Sequence, residues 1–250
     1  MRRVIYGIVL VVAACVSCSR QPLRVEQARS EAVAIDGRLD SLQDTVYLQV
    51  LQPIRDSLER QLDIALGYAP EDLKVYRPEC PLLNWATDAL YEMAVQVTGS
   101  RVDFAVVNIF GLRTDWGKGA ITFRQVFELM PFDNRLVILT LTGQDVLDLC
   151  DCFAMRGGEG ISHTLRMQMK DGKAVNVRLN GEAIDPAGSY YVATSDYLST
   201  GADQMVALAR YSHKEETDLR IRDLYIQYIQ QQTAEGKPIK AVVDNRMQQI

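Results

Sequence analysis

Histidine is nearly missing from this chain of 250 residues, which carries only His163 and His213. Neither stands at ligand spacing to a cysteine, so a zinc site of the Cys/His kind is not expected. Cysteine is scarce too. Beyond Cys15 and Cys18 only Cys80, Cys150 and Cys152 remain. That odd number, with Cys150 and Cys152 one residue apart, argues against a disulfide framework and for buried thiols. Blocks of basic residues are absent as well, and the formal net charge is -5. General attraction for nucleic acid or for an anionic membrane surface is therefore not expected, and an anionic ligand would need a local basic pocket. No internal repeat and no low-complexity tract stands out.

What is present is enough apolar material, 48% of the residues, to bury a full core as one large domain or two small ones. The N-terminus has the build of an export signal. Arg2 and Arg3 precede a nearly all-apolar run from Val4 to Ala14, which is too short to span a bilayer as a stable helix. Small residues then precede a cysteine twice, at "VAAC" and "CVSC". Bacterial lipoprotein signals place a cysteine directly after a small-residue cleavage site, so lipidation is expected at Cys15 or Cys18. It implies a lipid-anchored protein of the bacterial cell envelope, periplasmic or on the outer surface. The signal peptide is assigned to residues 1–18 and a polar tether to 19–39.

Apolar residues from Leu42 to Leu66 recur at threes and fours, predicting an amphipathic helix kinked or split near Pro53. A second helix is predicted from Pro81, with Leu82, Leu83, Ala86, Leu90 and Met93 on one face and an end before Gly99. Residues 102–108 predict a short buried strand. "RLVILTLTG" predicts a strand closed by Gly143, and "QDVLDLCDCFAMR" a helix capped by Thr142 or Gln144. Two alternating strands flank Asp171-Gly172, a hairpin signal, and "YYVATSDYL" predicts a strand running into the turn Gly201–Asp203. A last helix is expected over Leu219–Gln231. Mixed antiparallel strands with flanking helices define an α+β fold.

Several loops at strand ends share a chemistry that core packing does not account for. Arg113 follows a glycine, Phe132 and Asn134 stand at the mouth of an apolar strand, and Tyr197 precedes Asp203 by six positions. A guanidinium neutralises phosphate with a forked pair of donors, and aromatic rings stack on nucleobases. An asparagine reads a base edge, and an aspartate accepts hydrogen bonds from ribose hydroxyls. Singly, each of these residues is more often core or plain surface.

In this order they resemble the C-terminal, substrate-binding domain of 5'-nucleotidases. That domain carries in sequence the blocks N-G-G-x-R, G-x-I-T, P-F-x-N, L-T-G and D-F-x-x-x-G-G-D. Here the blocks stand as Asn108 to Arg113, Gly119 to Thr122, Pro131 to Asn134, Leu141 to Gly143, and Asp196-Tyr197 through Gly201-Ala202-Asp203. The resemblance covers roughly residues 40–232, leaving 233–250 as a C-terminal tail, and implies a layered α/β/β/α fold. It also implies that Phe132 and Tyr197 sandwich a base, that Asn134 bonds the base, Asp203 the ribose, and Arg113 the phosphate side.

Departures accompany the match. Ile109-Phe110 replace two small residues, Tyr197 replaces a phenylalanine, and Ala202 a glycine. Tyr76, with Arg77 next to it, occupies the place of an arginine before the Pro81 helix, and the glycine-bearing loop at 157–162 matches loosely. Full 5'-nucleotidases also carry a two-metal phosphoesterase domain with D-x-H, G-D and G-N-H-[DE] motifs, and none of these occurs in the chain. The reading is therefore a nucleotide- or nucleoside-binding subunit of a split 5'-nucleotidase. No catalytic residue or metal ligand is assigned to this chain, and divalent metals are expected on a separate metallophosphoesterase chain. The alternatives are a non-catalytic envelope nucleoside-binding lipoprotein and a relic whose loops merely pack.

Overall fold

The computed structural model describes residues 27–39 and 45–250. The expected signal peptide and both candidate lipidation cysteines lie outside the described residues. Two compact units are distinguished, residues 1–51 and 52–250. In the first, the tether residues 27–39 are exposed and contain one 3-10 turn, Gly37–Leu39.

Along the chain the regular elements are α1 (Thr45–Leu62), β1 (Ala65–Ala69), α2 (Pro81–Thr98), β2 (Phe104–Val107), β3 (Gly119–Thr122) and α3 (Phe123–Leu129). They continue as β4 (Arg135–Thr142), α4 (Gly143–Met155), β5 (Gly160–Ile161), β6 (Leu165–Lys170), β7 (Lys173–Leu179) and β8 (Glu182–Ala183). The last are β9 (Ser189–Ser195), β10 (His213–Arg220), α5 (Ile221–Ala234) and β11 (Met247–Gln249).

Local chemistry explains the boundaries. Pro81 opens α2 at a position whose N–H needs no helical partner, and Gly99, at φ 64°, closes it in the left-handed region. Thr142 caps α4: its Oγ1 accepts from the Asp145 amide at 3.2 Å, within a reciprocal capping box. The same device, Thr122 with Gln125, starts α3, a helix the apolar periodicity does not announce because it is only seven residues long. Asp171 and Gly172 both have positive φ, as a two-residue hairpin turn between β6 and β7 requires.

The central sheet has five strands in the order β10-β4-β9-β2-β5, antiparallel except where β9 runs parallel to β2. Its strands have two buried faces, and side-chain alternation sorts them. Leu136 and Ile138 of β4 join a core with Leu82, Trp85 and Leu90 of α2 and Tyr225 and Ile229 of α5. Val137, Leu139 and Leu141 join a second core with Val146, Leu149 and Phe153 of α4 and Met167 and Met169 of β6. A second sheet, β11-β6-β7-β8, closes that side, and β1 pairs with β3 separately. The architecture is α+β, in the layered arrangement expected.

Two expectations need correction, and one strand is added. The first helix ends at Leu62, and Leu66 lies in β1, where it is buried. The spacing from Leu62 to Leu66 continues a helical period only by coincidence. The strand β10 was not foreseen, since "HKEETDLR" has no apolar alternation; it pairs along the edge of β4 with its side chains partly exposed. The segment 233–250 is not a tail. Ile239 is buried, β11 runs parallel to β6, and Arg246 is almost wholly enclosed. The Arg246 guanidinium is held by both carboxylate oxygens of Asp88, at 2.8 and 3.0 Å, and by Asp244 at 2.9 Å. A compensated buried charge of this kind leaves no trace in hydrophobic periodicity. No helix among the described residues is long and apolar enough to cross a membrane.

Candidate functional site

The ends of β2 and β9, the loop before β4 and the turn after β9 surround one cavity of about 280 Å³. Its walls are Asn108, Phe110, Gly111, Arg113, Phe132, Asn134, Tyr197 and Asp203. All five side chains singled out in the sequence are among them, brought together from three separated segments.

Phe132 is held from beneath. Arg222, at the start of α5, is 7% exposed; its Nη1 donates to the carbonyls of Phe132 at 3.3 Å and Met130 at 3.4 Å. Its Nη2 donates to Asp133 at 2.8 Å, and its guanidinium lies 4.1 Å from the centre of the Phe127 ring. The Ile221 amide donates to the Asn134 carbonyl at 2.9 Å. The loop backbone is thereby pinned to α5, while the Phe132 ring stays 38% exposed. The Asn134 side-chain amide has no hydrogen-bond partner among the described residues and is available to a ligand.

Tyr197 stands two residues past the end of β9 and is held through its backbone N–H, which donates to the Asp196 carboxylate at 2.8 Å. Its hydroxyl donates to Asp203 Oδ1 at 3.0 Å, and Asn108 Nδ2 donates to Oδ2 at 2.6 Å. The hydrogen bond to Asp203, reinforced by the carboxylate's charge, raises the Tyr197 pKa above the ordinary phenol value and keeps the hydroxyl a donor. Asp203 itself sits at φ 54°, in a turn that Gly201 enters at φ 83°. A non-glycine residue in the left-handed region is strained by about 1 to 3 kcal/mol unless its surroundings hold it, and these two hydrogen bonds do so. Phe132 and Tyr197 wall the same cavity and make no ring-ring contact among the described residues.

The loop carrying Phe110 has its own anchor, in residues to which the sequence assigned no role. Glu159, whose side chain is fully buried, accepts at Oε1 from Arg77 at 2.7 Å and Arg156 at 2.8 Å. Its Oε2 accepts from the Ile109 amide at 2.7 Å. Both guanidiniums then lie against the Phe110 ring, at 5.1 and 5.9 Å from its centre. Burial works against the charge of Arg156, but the hydrogen bond and charge of Glu159, joined by the charge of Asp203, leave its pKa raised. Gly158, at φ 119°, lets this loop close on Pro78, whose carbonyl oxygen would lie 2.3 Å from any Cβ placed there. That close approach is the one signal, a paired glycine before an acid, that could have drawn notice to Glu159. Arg222 offered none, because it stands in an otherwise ordinary amphipathic helix. Among the described residues, no group of three or more His, Cys, Asp or Glu side chains is placed to hold a metal ion.

An α+β domain with an aromatic-walled cavity at its strand ends is the class so defined. The sequence profile of the 5'-nucleotidase C-terminal domain matches residues 65–210, and the chain belongs to that family. It is similar to the protein UshA of Escherichia coli, 27% identical over 182 residues, covering 71% of this chain and 32% of UshA. A 5'-nucleotidase of Vibrio cholerae is 25% identical over 165 residues, covering 64% of this chain and 30% of its own length. The chain thus spans about a third of these relatives. Among solved structures, a 5'-nucleotidase precursor from Thermus thermophilus superposes with a TM-score of 0.69 over 83% of this chain and 44% of its own, at 22% identity, a likeness of fold.

Proposed function

We propose that this domain binds a nucleotide or nucleoside in the cavity between Phe132 and Tyr197, as the substrate-binding subunit of a split 5'-nucleotidase. The observation that carries the proposal is the convergence of Arg113, Phe132, Asn134, Tyr197 and Asp203 on one cavity of about 280 Å³. The two rings stack on the base, at about 1 to 3 kcal/mol per base. The free amide of Asn134 bonds a base edge, Asp203 accepts from sugar hydroxyls, and Arg113 stands on the phosphate side. Hydrolysis then requires two divalent metals to polarise the phosphate and to generate hydroxide, and these come with a separate metallophosphoesterase chain. An N-terminal lipid at Cys15 or Cys18 would hold the protein at the bacterial envelope beside such a partner.

Calorimetric titration of the full chain with nucleosides and their monophosphates tests the site. Mixing with a two-metal phosphoesterase, and measuring phosphate release against that enzyme alone, tests the subunit role. Saturable binding together with a rate gain on mixing supports both. Binding without a rate gain removes the split-enzyme role and leaves a nucleoside-binding lipoprotein. No binding ends the proposal.

A further inference from the structure

We infer, resting on the reading above, that the cavity recognises the uncharged part of its ligand, base and sugar, and leaves a 5'-phosphate essentially ungripped. A nucleoside then binds nearly as well as its monophosphate.

Three guanidiniums stand near the cavity, but only Arg113 lines it. Arg77 and Arg156 are both engaged by the buried carboxylate of Glu159, and Arg77 Nε is further tied to the Gly158 carbonyl at 2.8 Å. With one anion shared between them and both packed against Phe110, they are held behind that ring as a structural strut. Arg113 is exposed, and its guanidinium has no ion-pair or hydrogen-bond partner among the described residues; it lies 6.0 Å from the Phe132 ring centre. The cavity wall therefore presents one cation, Arg113, and one anion, Asp203. A phosphate dianion entering there meets a single solvated guanidinium and a like-charged carboxylate on the same wall. An exposed pair of that kind favours binding by about fivefold at most, and less at high salt.

The remaining polar groups suit a neutral ligand. Asn134 offers both an amide donor and an acceptor, and each Asp203 oxygen, already accepting one protein hydrogen bond, keeps a lone pair for a hydroxyl donor. A phosphate left ungripped projects from the open side of the cavity, where a second protein can act on it.

The experiment is calorimetry on the full chain with adenosine, guanosine, cytidine and uridine, each beside its 5'-monophosphate, at low and at high salt. For whichever base binds, the expected gain from the phosphate is no more than about fivefold. A larger gain that shrinks with added salt overturns this inference and leaves the nucleotide-binding reading standing. Absence of binding by all eight compounds overturns both. Glu159→Gln adds an independent arm. Removing the shared counter-charge frees two cations behind Phe110, so the preference for the monophosphate over the nucleoside should rise. An unchanged preference in a folded Glu159→Gln protein overturns the account of why the phosphate is ungripped. Should that variant fail to fold, the titrations of the unmodified chain still decide.

Discussion

Asn108 reaches Asp203 across 95 positions of sequence, with Nδ2 lying 2.6 Å from Oδ2. This contact ties the end of β2 to the turn after β9 and helps hold Asp203 in the left-handed backbone region, at φ 54°. Asn108 is 8% exposed, so its amide is mostly removed from water and depends on this partner. Asn108→Ala should cost about 1 to 3 kcal/mol of stability, because it leaves a strained carboxylate with only the Tyr197 hydroxyl. Thermal unfolding measures that cost, and nucleoside calorimetry should show a parallel loss of affinity. An unchanged melting temperature would show that the turn is held by other contacts.

Phe132→Ala should weaken nucleoside binding by about 1 to 3 kcal/mol with little change in the fold, since the ring is 38% exposed and its loop is fixed through the backbone. Tyr197→Phe keeps the stacking face and removes only the bond to Asp203. It should lower affinity less than Phe132→Ala does. The two variants, titrated side by side with circular dichroism as the control for folding, separate stacking from hydrogen bonding. Equal affinity in Phe132→Ala and in the unmodified chain would remove that ring from the site.

Arg222 is not among the residues lining the cavity and yet places Phe132. Replacing it by methionine removes three hydrogen bonds and the contact with Phe127, and it leaves two loop carbonyls and Asp133 without their donor. Both stability and ligand affinity should fall, stability by about 2 to 4 kcal/mol. Arg222→Lys should recover part of the stability but not the forked geometry. Loss of stability with full affinity retained would show that the loop finds its position without α5.

The Cys150 thiol is fully buried, and burial, followed by the charge of Asp151, pushes its pKa up to about 12. It should resist alkylation in the folded protein at pH values where an ordinary thiol, near 9.0, is already ionised. Peptide mapping after iodoacetamide treatment, with and without denaturant, reads this directly. The folded state binds the proton more tightly than the unfolded state. The resulting stability is therefore fully present below about 9 and is lost as the pH rises toward about 12. Rapid labelling of Cys150 in the native protein would contradict the burial.

Elements whose side chains repeat were legible in advance. The α2 helix between Pro81 and Gly99, the β4 strand and the hairpin at Asp171-Gly172 all follow from local rules about proline, glycine and alternating apolar residues. The strand β10 and the return of β11 were hidden, because a polar edge strand and a charged segment around Arg246 are stabilised by partners distant in the chain. The candidate site divides in the same way. Arg113, Phe132, Asn134, Tyr197 and Asp203 stand in ordered blocks that can be picked out. Glu159 and Arg222 act on backbone and on other side chains; the glycine pair before Glu159 is a faint sign of it, and nothing beside Arg222 announces its role.

Residue order alone thus determined the family, the local elements and the chemical types brought to the cavity: two stacking faces, an amide, a carboxylate and a guanidinium. Only the tertiary structure decided which charges remain free. Folding sets both Arg77 and Arg156 against one buried glutamate, Glu159. Electrostatic compensation depends on distances of a few ångströms between segments far apart in the chain, and such distances exist only once the layers have packed.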